Sequence, residues 1–146
     1  MDVVIVGGGW AGAAAAIAAA KQGADVTLLE RTDMLLGTGL VGGIFRNNGR
    51  FAASEELIAL GGGDLIHAMD NNTLHSNMEF PGHRNASLYN VATMEPIVCR
   101  LLWDAGVDVK LMTRFAKAET ADGRITAVIA KHDGDDVRFA GHVFID

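Results

Sequence analysis

One stretch constrains this chain more than any other. A charge-free apolar run, Val3-Val4-Ile5-Val6, opens directly into Gly7-Gly8-Gly9-Trp10-Ala11-Gly12, then into the alanine-rich segment from Ala13 to about Gln22 and a second apolar run from Asp25 to Leu29. Glu30 closes it. The pattern reads as strand, tight turn, helix, strand. Each glycine has a physical reason if a dinucleotide sits at the end of the first strand. Gly7 turns the chain out of the sheet, Gly9 leaves room for a pyrophosphate at the backbone, and Gly12 lets the helix pack against the strand. The first-turn N–H groups of that helix lack partners within it and point at the phosphates, with the helix dipole behind them. Glu30 falls about twenty residues after the turn, where a carboxylate can accept both ribose hydroxyls.

A membrane segment is the main rival for Val3 to Ala20, which carries no charge. Several glycines interrupt it, alanine dominates it, and Asp2 stands where a signal peptide wants Lys or Arg. No membrane role is expected, and a cytoplasmic location is the default. The net charge of −6, with no Lys/Arg block, argues against nucleic-acid binding. Cys99 is the single cysteine, which excludes an internal disulfide or a CxxC redox pair and suggests a buried small hydrophobe. With 146 residues, 49 % of them hydrophobic, one domain with a real core is expected.

After Glu30 and Arg31 comes a second glycine cluster, Gly37-Thr38-Gly39-Leu40-Val41-Gly42-Gly43, which also suits close backbone approach to a ligand. Asn47-Asn48-Gly49-Arg50 is a turn signal. Ser54 reads as the N-cap of a helix ended by Gly61-Gly62-Gly63, and Asp64 to Asp70 as a further short helix. Asn71 to Asn90 is polar and broken by Pro81-Gly82, so it reads as a long irregular excursion. His67, His75 and His83 match no metal spacing, and no metal is expected. Ala92 to Gly106 is a helix, with Thr93 as its N-cap, Glu95 and Pro96 in its first turn and a stripe of Ile97, Leu101 and Leu102. Val107 to Met112 reads as a strand. Short alternating runs then follow: Phe115 to Glu119, Ile125 to Lys131 and Val137 to Ala140, with turns at Asp122-Gly123 and Gly134-Asp135, and a return strand at His142 to Ile145.

Three stretches carry a family resemblance: Asp2 to Arg31, Gly37 to Gly42, and Met94 to Asp146, the last running from Met94-Glu95-Pro96-Ile97-Val98-Cys99 to Gly141-His142-Val143-Phe144-Ile145-Asp146. On these residues the chain resembles the N-terminal part of FAD-dependent oxidoreductases of the two-dinucleotide-binding-domain fold. These are the glutathione-reductase-like flavoproteins, related to fumarate-reductase-type flavoproteins. The resemblance implies an α/β fold, a Rossmann-like parallel sheet with an antiparallel β-meander excursion, forming an incomplete FAD-binding domain. One domain over 1–146 is expected, with the βαβ motif in 1–31, a loop and helical excursion in 36–92, and helix, strand, meander and return strand in 93–146. It implies FAD, with its pyrophosphate on Gly7, Gly8, Gly9, Trp10, Ala11 and Gly12 and its adenosine ribose on Glu30, beside Arg31. Gly37 and Thr38 would approach the pyrophosphate or ribityl chain, and the backbone of Phe115 would meet the adenine. Two departures stand out: Trp10 replaces a small residue or proline, and the loop from Leu36 to Gly39 is shorter than the family's.

The expected activity is flavin-mediated hydride or electron transfer on a small-molecule substrate. Family members continue beyond Ile145-Asp146, so the expectation is a split or processed enzyme in which a second chain completes the FAD domain and supplies the substrate domain. A fragment of a longer chain, or a complete minimal domain, would also stop at this point. Arg46, past the second glycine cluster, could offer positive charge to a reduced flavin or a carboxylate, or be a plain surface arginine. Catalytic residues are not identifiable. No Ser/His/Asp triad, carboxylate pair or P-loop lysine is present. The alternatives are an NAD(P)-binding module, since Glu30 serves NAD equally well, and a non-catalytic subunit that holds cofactor for a partner.

Overall fold

A computed structural model of the chain describes residues 1–47, 58–80 and 83–146. The first βαβ unit consists of β1 (Asp2–Val6), α1 (Trp10–Lys21) and β2 (Asp25–Leu29). β6 (Asp108–Lys110) and β10 (Val143–Ile145) join them in a four-stranded parallel sheet of order β10-β1-β2-β6. The register runs from Asp2↔Asp25 to Val6↔Leu29 between β1 and β2, and Val3 faces Val143 on the other side. Chain order reverses beside β1, with β2 to one side and the much later β10 to the other. That topological switch places the natural ligand crevice at the carboxyl end of β1.

Both faces of this sheet are covered, which is why β1 is apolar throughout rather than alternating. Val3 and Ile5 point to one face, where they join Ala13, Ala16 and Ile17 of α1 and Met94, Val98 and Leu102 of α3 (Val91–Asp104) in the main core. Val4 points to the other face and meets Val128 and Ala130. Those two belong to a three-stranded antiparallel meander, β7 (Thr113–Ala121), β8 (Arg124–His132) and β9 (Asp135–Ala140). Its turns centre on Asp122-Gly123 and Asp133-Gly134, where φ is positive at both residues of each pair. These primed two-residue turns match the twist of the hairpin. The second lies one residue earlier than expected.

Between Asn71 and Asn90 the described residues depart from the sequence reading. Instead of an irregular excursion they form β4 (Thr73–Phe80) and β5 (His83–Tyr89), and β3 (Arg46–Asn47) adds to β5 in an antiparallel sheet of order β3-β5-β4. The β4–β5 ladder carries three register shifts, and of its described side chains only Ala86 and Tyr89 are buried. A bulged, half-exposed ribbon leaves no period-two signal. A single wide turn at Ile58–Gly62 breaks at Gly61, whose φ of 102° is not helical, and α2 (Gly63–Asn71) follows directly. The turn signal at residues 48–50, the Ser54 cap and Pro81-Gly82 lie outside the described residues.

Four smaller corrections concern α3 and its neighbours. The N-cap is Asn90, whose side chain accepts from the Ala92 N–H at 3.0 Å, and Thr93 already lies inside the helix. The earlier start moves Glu95 and Pro96 into the second turn, where Pro96 has no N–H to give the Ala92 carbonyl. Cys99 is exposed rather than buried. The strand expected to reach Met112 stops at Lys110, the partner of Leu29 at the end of β2, and Met112 takes a positive φ of 51°.

The core side of α3 generates a contrast between neighbours. Leu102 is fully buried, while Trp103 is 78 % exposed. Leu102→Ala is expected to cost about 2–5 kcal/mol in urea unfolding, and Trp103→Ala less than about 1 kcal/mol.

Candidate functional site

The site forms where β1 ends. Gly7, at φ +107°, turns the chain and donates its N–H to the Leu29 carbonyl at 2.7 Å. Gly9 is the N-cap of α1 and has no capping side chain, and no acidic residue stands in the first turn. The free N–H groups of that turn and the positive end of the helix dipole are therefore presented outward, without a neutralising carboxylate of their own. Gly9 and Gly12 differ in what a side chain would meet. A Cβ on Gly12 would run into the Gly7 carbonyl, so the first turn of α1 rests directly on the backbone of the glycine turn. A Cβ on Gly9 would meet nothing within 4 Å. The fold itself does not require a glycine there, and the space in front of it is a cradle that a ligand can use.

Glu30 sits behind the turn, only 6 % exposed. Its Oε2 accepts from the Gly8 N–H at 2.8 Å, and its Oε1 accepts from the Thr32 N–H at 2.8 Å and the Thr32 hydroxyl at 2.9 Å. A buried carboxylate needs such partners. The Thr32 hydroxyl has one proton and two acceptors, since the Met34 carbonyl lies 2.8 Å away. Turned to Met34, it leaves Oε1 with capacity for another donor.

In front of Glu30 a crevice of about 250 Å³ is lined by Gly7, Arg31, Thr113, Arg114 and Phe115. Both arginines are exposed. The Thr113 N–H donates to the Glu30 carbonyl at 2.7 Å, which ties the start of the meander to the end of β2. Thr113 and Arg114 were missed by the sequence reading, although they adjoin Phe115, which was singled out.

The second glycine cluster docks on the first. The Leu36 N–H donates to the Gly8 carbonyl at 2.7 Å, and Gly37 opens a 3₁₀ turn (Gly37–Gly39) whose first residue abuts Gly9. Thr38 is exposed beside it. From the other side, both carboxylate oxygens of Glu95 accept from the Leu35 N–H at 3.2 Å, so α3 anchors the entry to this loop. The structure thus brings Gly7, Gly8, Gly9, Trp10, Ala11, Gly12, Glu30, Arg31, Gly37, Thr38 and Phe115 around one end of the sheet. Arg46 starts β3 and is exposed, as are the His67 and His75 side chains. Among the described residues no group of three metal-ligating side chains occurs. No helix among them is long and apolar enough to cross a membrane.

A parallel sheet with its switch point at β1, a glycine turn ending on a helix N-terminus and an acid after β2 define a dinucleotide-binding α/β domain. The chain belongs to the FAD dependent oxidoreductase family, whose model matches residues 2–146, and its cofactor is FAD. No curated protein matches the sequence. Solved structures share the fold. THI4 of Thermovibrio ammonificans superposes with a TM-score of 0.64 at 18 % identity, over 99 % of this chain and 56 % of that one. A geranylgeranyl bacteriochlorophyll reductase-like protein of Thermoplasma acidophilum gives 0.66 at 18 % identity, over 98 % and 38 %. CabE, an aromatic hydroxylase from angucycline biosynthesis, gives 0.67 at 17 % identity, over 98 % and 30 %. This chain therefore spans between about a third and just over half the length of these three structures. The cradle at Gly9 and the unneutralised start of α1 fit the diphosphate of that cofactor.

Two outcomes test this geometry. Gly12→Ala drives a methyl into the Gly7 backbone, and is expected to lower stability by about 1–3 kcal/mol or more in thermal unfolding, because backbone cannot move aside as a side chain can. Cys99, although exposed, has its thiol pKa pushed up to about 11 by partial desolvation of the sulfur and then by the Glu95 carboxylate 3.6 Å away. At mildly alkaline pH it should hold on the order of a hundredfold less thiolate than an ordinary cysteine and react correspondingly slowly with a disulfide reagent, and Glu95→Gln should speed that reaction.

Proposed function

We propose that this chain is the FAD-binding part of an oxidoreductase and holds the ADP half of the cofactor over the β1–α1 turn. The observation that carries this reading is the open space at Gly9, next to a helix N-terminus and in the same turn as Gly7, which lines the crevice in front of Glu30. The diphosphate accepts hydrogen bonds from the first turn of α1. Glu30 takes one ribose hydroxyl when Thr32 turns to Met34, so the full pair of ribose bonds expected from the sequence requires displacing an internal donor. Arg31 flanks the ribose, and the backbone of Phe115 meets the adenine. Gly37 and Thr38, beside Gly9, lie where the chain of the cofactor leaves the diphosphate. When bound, the flavin supplies hydride or electron transfer, and this chain's residues bind and orient it.

In the same reading a second polypeptide completes the pocket and brings the small-molecule substrate. Two observations support that part. Among the described residues β10 pairs only with β1 and leaves its other edge free. Beside it an apolar cleft of about 200 Å³ opens between Val6, Phe144 and the meander residues Phe115, Ile125 and Val128, with Phe115 and Ile125 each nearly half exposed. Soluble proteins usually cover such edges and faces.

The decisive variant is Gly9→Val. The backbone at Gly9 has an ordinary φ of −67° and space for a side chain, so the melting temperature of the flavin-free protein should stay close to wild type. FAD binding should weaken on the order of a hundredfold, as expected for about 3 kcal/mol of steric intrusion. Unchanged visible flavin absorbance in the purified variant would refute the assignment. A colourless wild-type protein that binds NADH would favour a nicotinamide module instead, and co-purification identifies any completing chain.

A further inference from the structure

The turn holds one side chain that the diphosphate does not need. Trp10, the first residue of α1, projects across to Gly39 and packs edge-on against Tyr89 at the end of β5, with ring centroids 5.7 Å apart and an interplanar angle of 70°. Tyr89 is the single tyrosine of the chain and is almost fully buried. Its hydroxyl donates to the Gly39 carbonyl at 2.7 Å, with the Ile44 carbonyl at 3.2 Å as a second acceptor. One phenol thus reaches both the end of the 3₁₀ turn and the residue just after the glycine cluster. A Cβ at Gly39 would collide with the Trp10 indole nitrogen and stand 2.7 Å from the Tyr89 oxygen, so both rings would have to shift to admit it. Burial raises the Tyr89 pKa above its ordinary 10.0, opposed by its hydrogen bond with Trp10, so the phenol keeps its donor proton throughout the neutral range.

The loop held in this way contributes no residue to the crevice in front of Glu30. Gly37 abuts Gly9, while Arg31, Thr113 and Arg114 line the adenosine side. We propose that Tyr89 and Trp10 are positioning residues that set the Gly37–Gly43 loop for the flavin-ward half of FAD and leave the ADP half untouched. This rests on the reading that the diphosphate occupies the β1–α1 turn. It also gives Trp10, the departure from the family's small residue, a specific duty: it replaces space in the turn with a strut between two loops.

The test separates the two halves of the cofactor. FAD and ADP are each titrated calorimetrically into the flavin-stripped protein, together with any chain that co-purifies, for wild type, Tyr89→Phe and Gly39→Ala. Tyr89→Phe keeps the ring and loses the hydroxyl with its hydrogen bonds to Gly39 and Trp10. It is expected to weaken FAD about five- to tenfold while ADP stays within about twofold, and Gly39→Ala should show the same split. In a Trp103→Phe background Trp10 is the sole indole, and its fluorescence should be quenched by FAD and not by ADP. Equal weakening of FAD and ADP, or unchanged FAD affinity in Tyr89→Phe, overturns the proposal while leaving the diphosphate site standing. Failure of the wild-type protein to bind FAD overturns both.

Discussion

The close approach of the first turn of α1 to the backbone at the end of β1 governs the carboxyl end of the sheet. Gly12 lies against the Gly7 carbonyl with no space for even a methyl group. That contact sets the depth at which the helix N-terminus sits, and hence where its free N–H groups point. α3 is held by large side chains, Met94, Val98 and Leu102. α1 is held by alanines and a backbone contact, with only Ala13, Ala16 and Ile17 buried. Small residues exchange apolar area for proximity. That exchange makes sense for an element whose end must stand at a defined distance from a ligand.

Glu30 shows how one residue can serve the fold and the site together. Its carboxylate is nearly buried, and it bonds Gly8 in the turn and Thr32 in the following loop. Removing it would leave the Gly8 N–H without its partner and unfasten the loop that carries the second glycine cluster. A buried charge with three donors is a costly arrangement unless those bonds hold something in place. Here they hold the walls of the crevice, and the single Thr32 hydroxyl proton, shared between Oε1 and Met34, leaves one acceptor adjustable.

The first βαβ unit and the meander were legible because local chemistry and tertiary environment agree there. A strand covered on both faces must be apolar at every position, and Val3 to Val6 are. A two-residue primed turn wants Asp-Gly, and 122–123 and 133–134 carry it. The β4–β5 ribbon was illegible for the opposite reason: with bulges in its ladder and few buried side chains, nothing in its sequence needs to alternate. Cys99 misled because cysteine is commonly buried, whereas its position on α3 is decided by the stripe at Met94, Val98 and Leu102. Within the site, the glycines and Glu30 could be found by spacing alone. Tyr89, Thr113 and Glu95 could not, because each acts across a long sequence separation on a partner that only the folded chain supplies.

Those long-range partners have a common pattern. Glu95 reaches Leu35, Tyr89 reaches Gly39 and Ile44, and Thr113 reaches Glu30. Every one of them ends on the backbone of the segment between β2 and β3, which holds Gly37, Gly39, Gly42 and Gly43 and whose regular structure is the 3₁₀ turn alone. A loop of that composition loses much conformational entropy when it is ordered. Distributing its restraint over a helix, a strand end and the start of a meander means that no single element fixes it. In the proposed reading the sheet and α1 keep the geometry that a diphosphate needs, while the loop is restrained in part by the side chains of Glu95 and Tyr89, which lie outside the turn. In the proposed reading, an insertion or a new contact in this segment would change what lies past the diphosphate and leave the β1–α1 turn as it is. This separation is consistent with a βαβ unit that is readable from sequence and a following segment that is not.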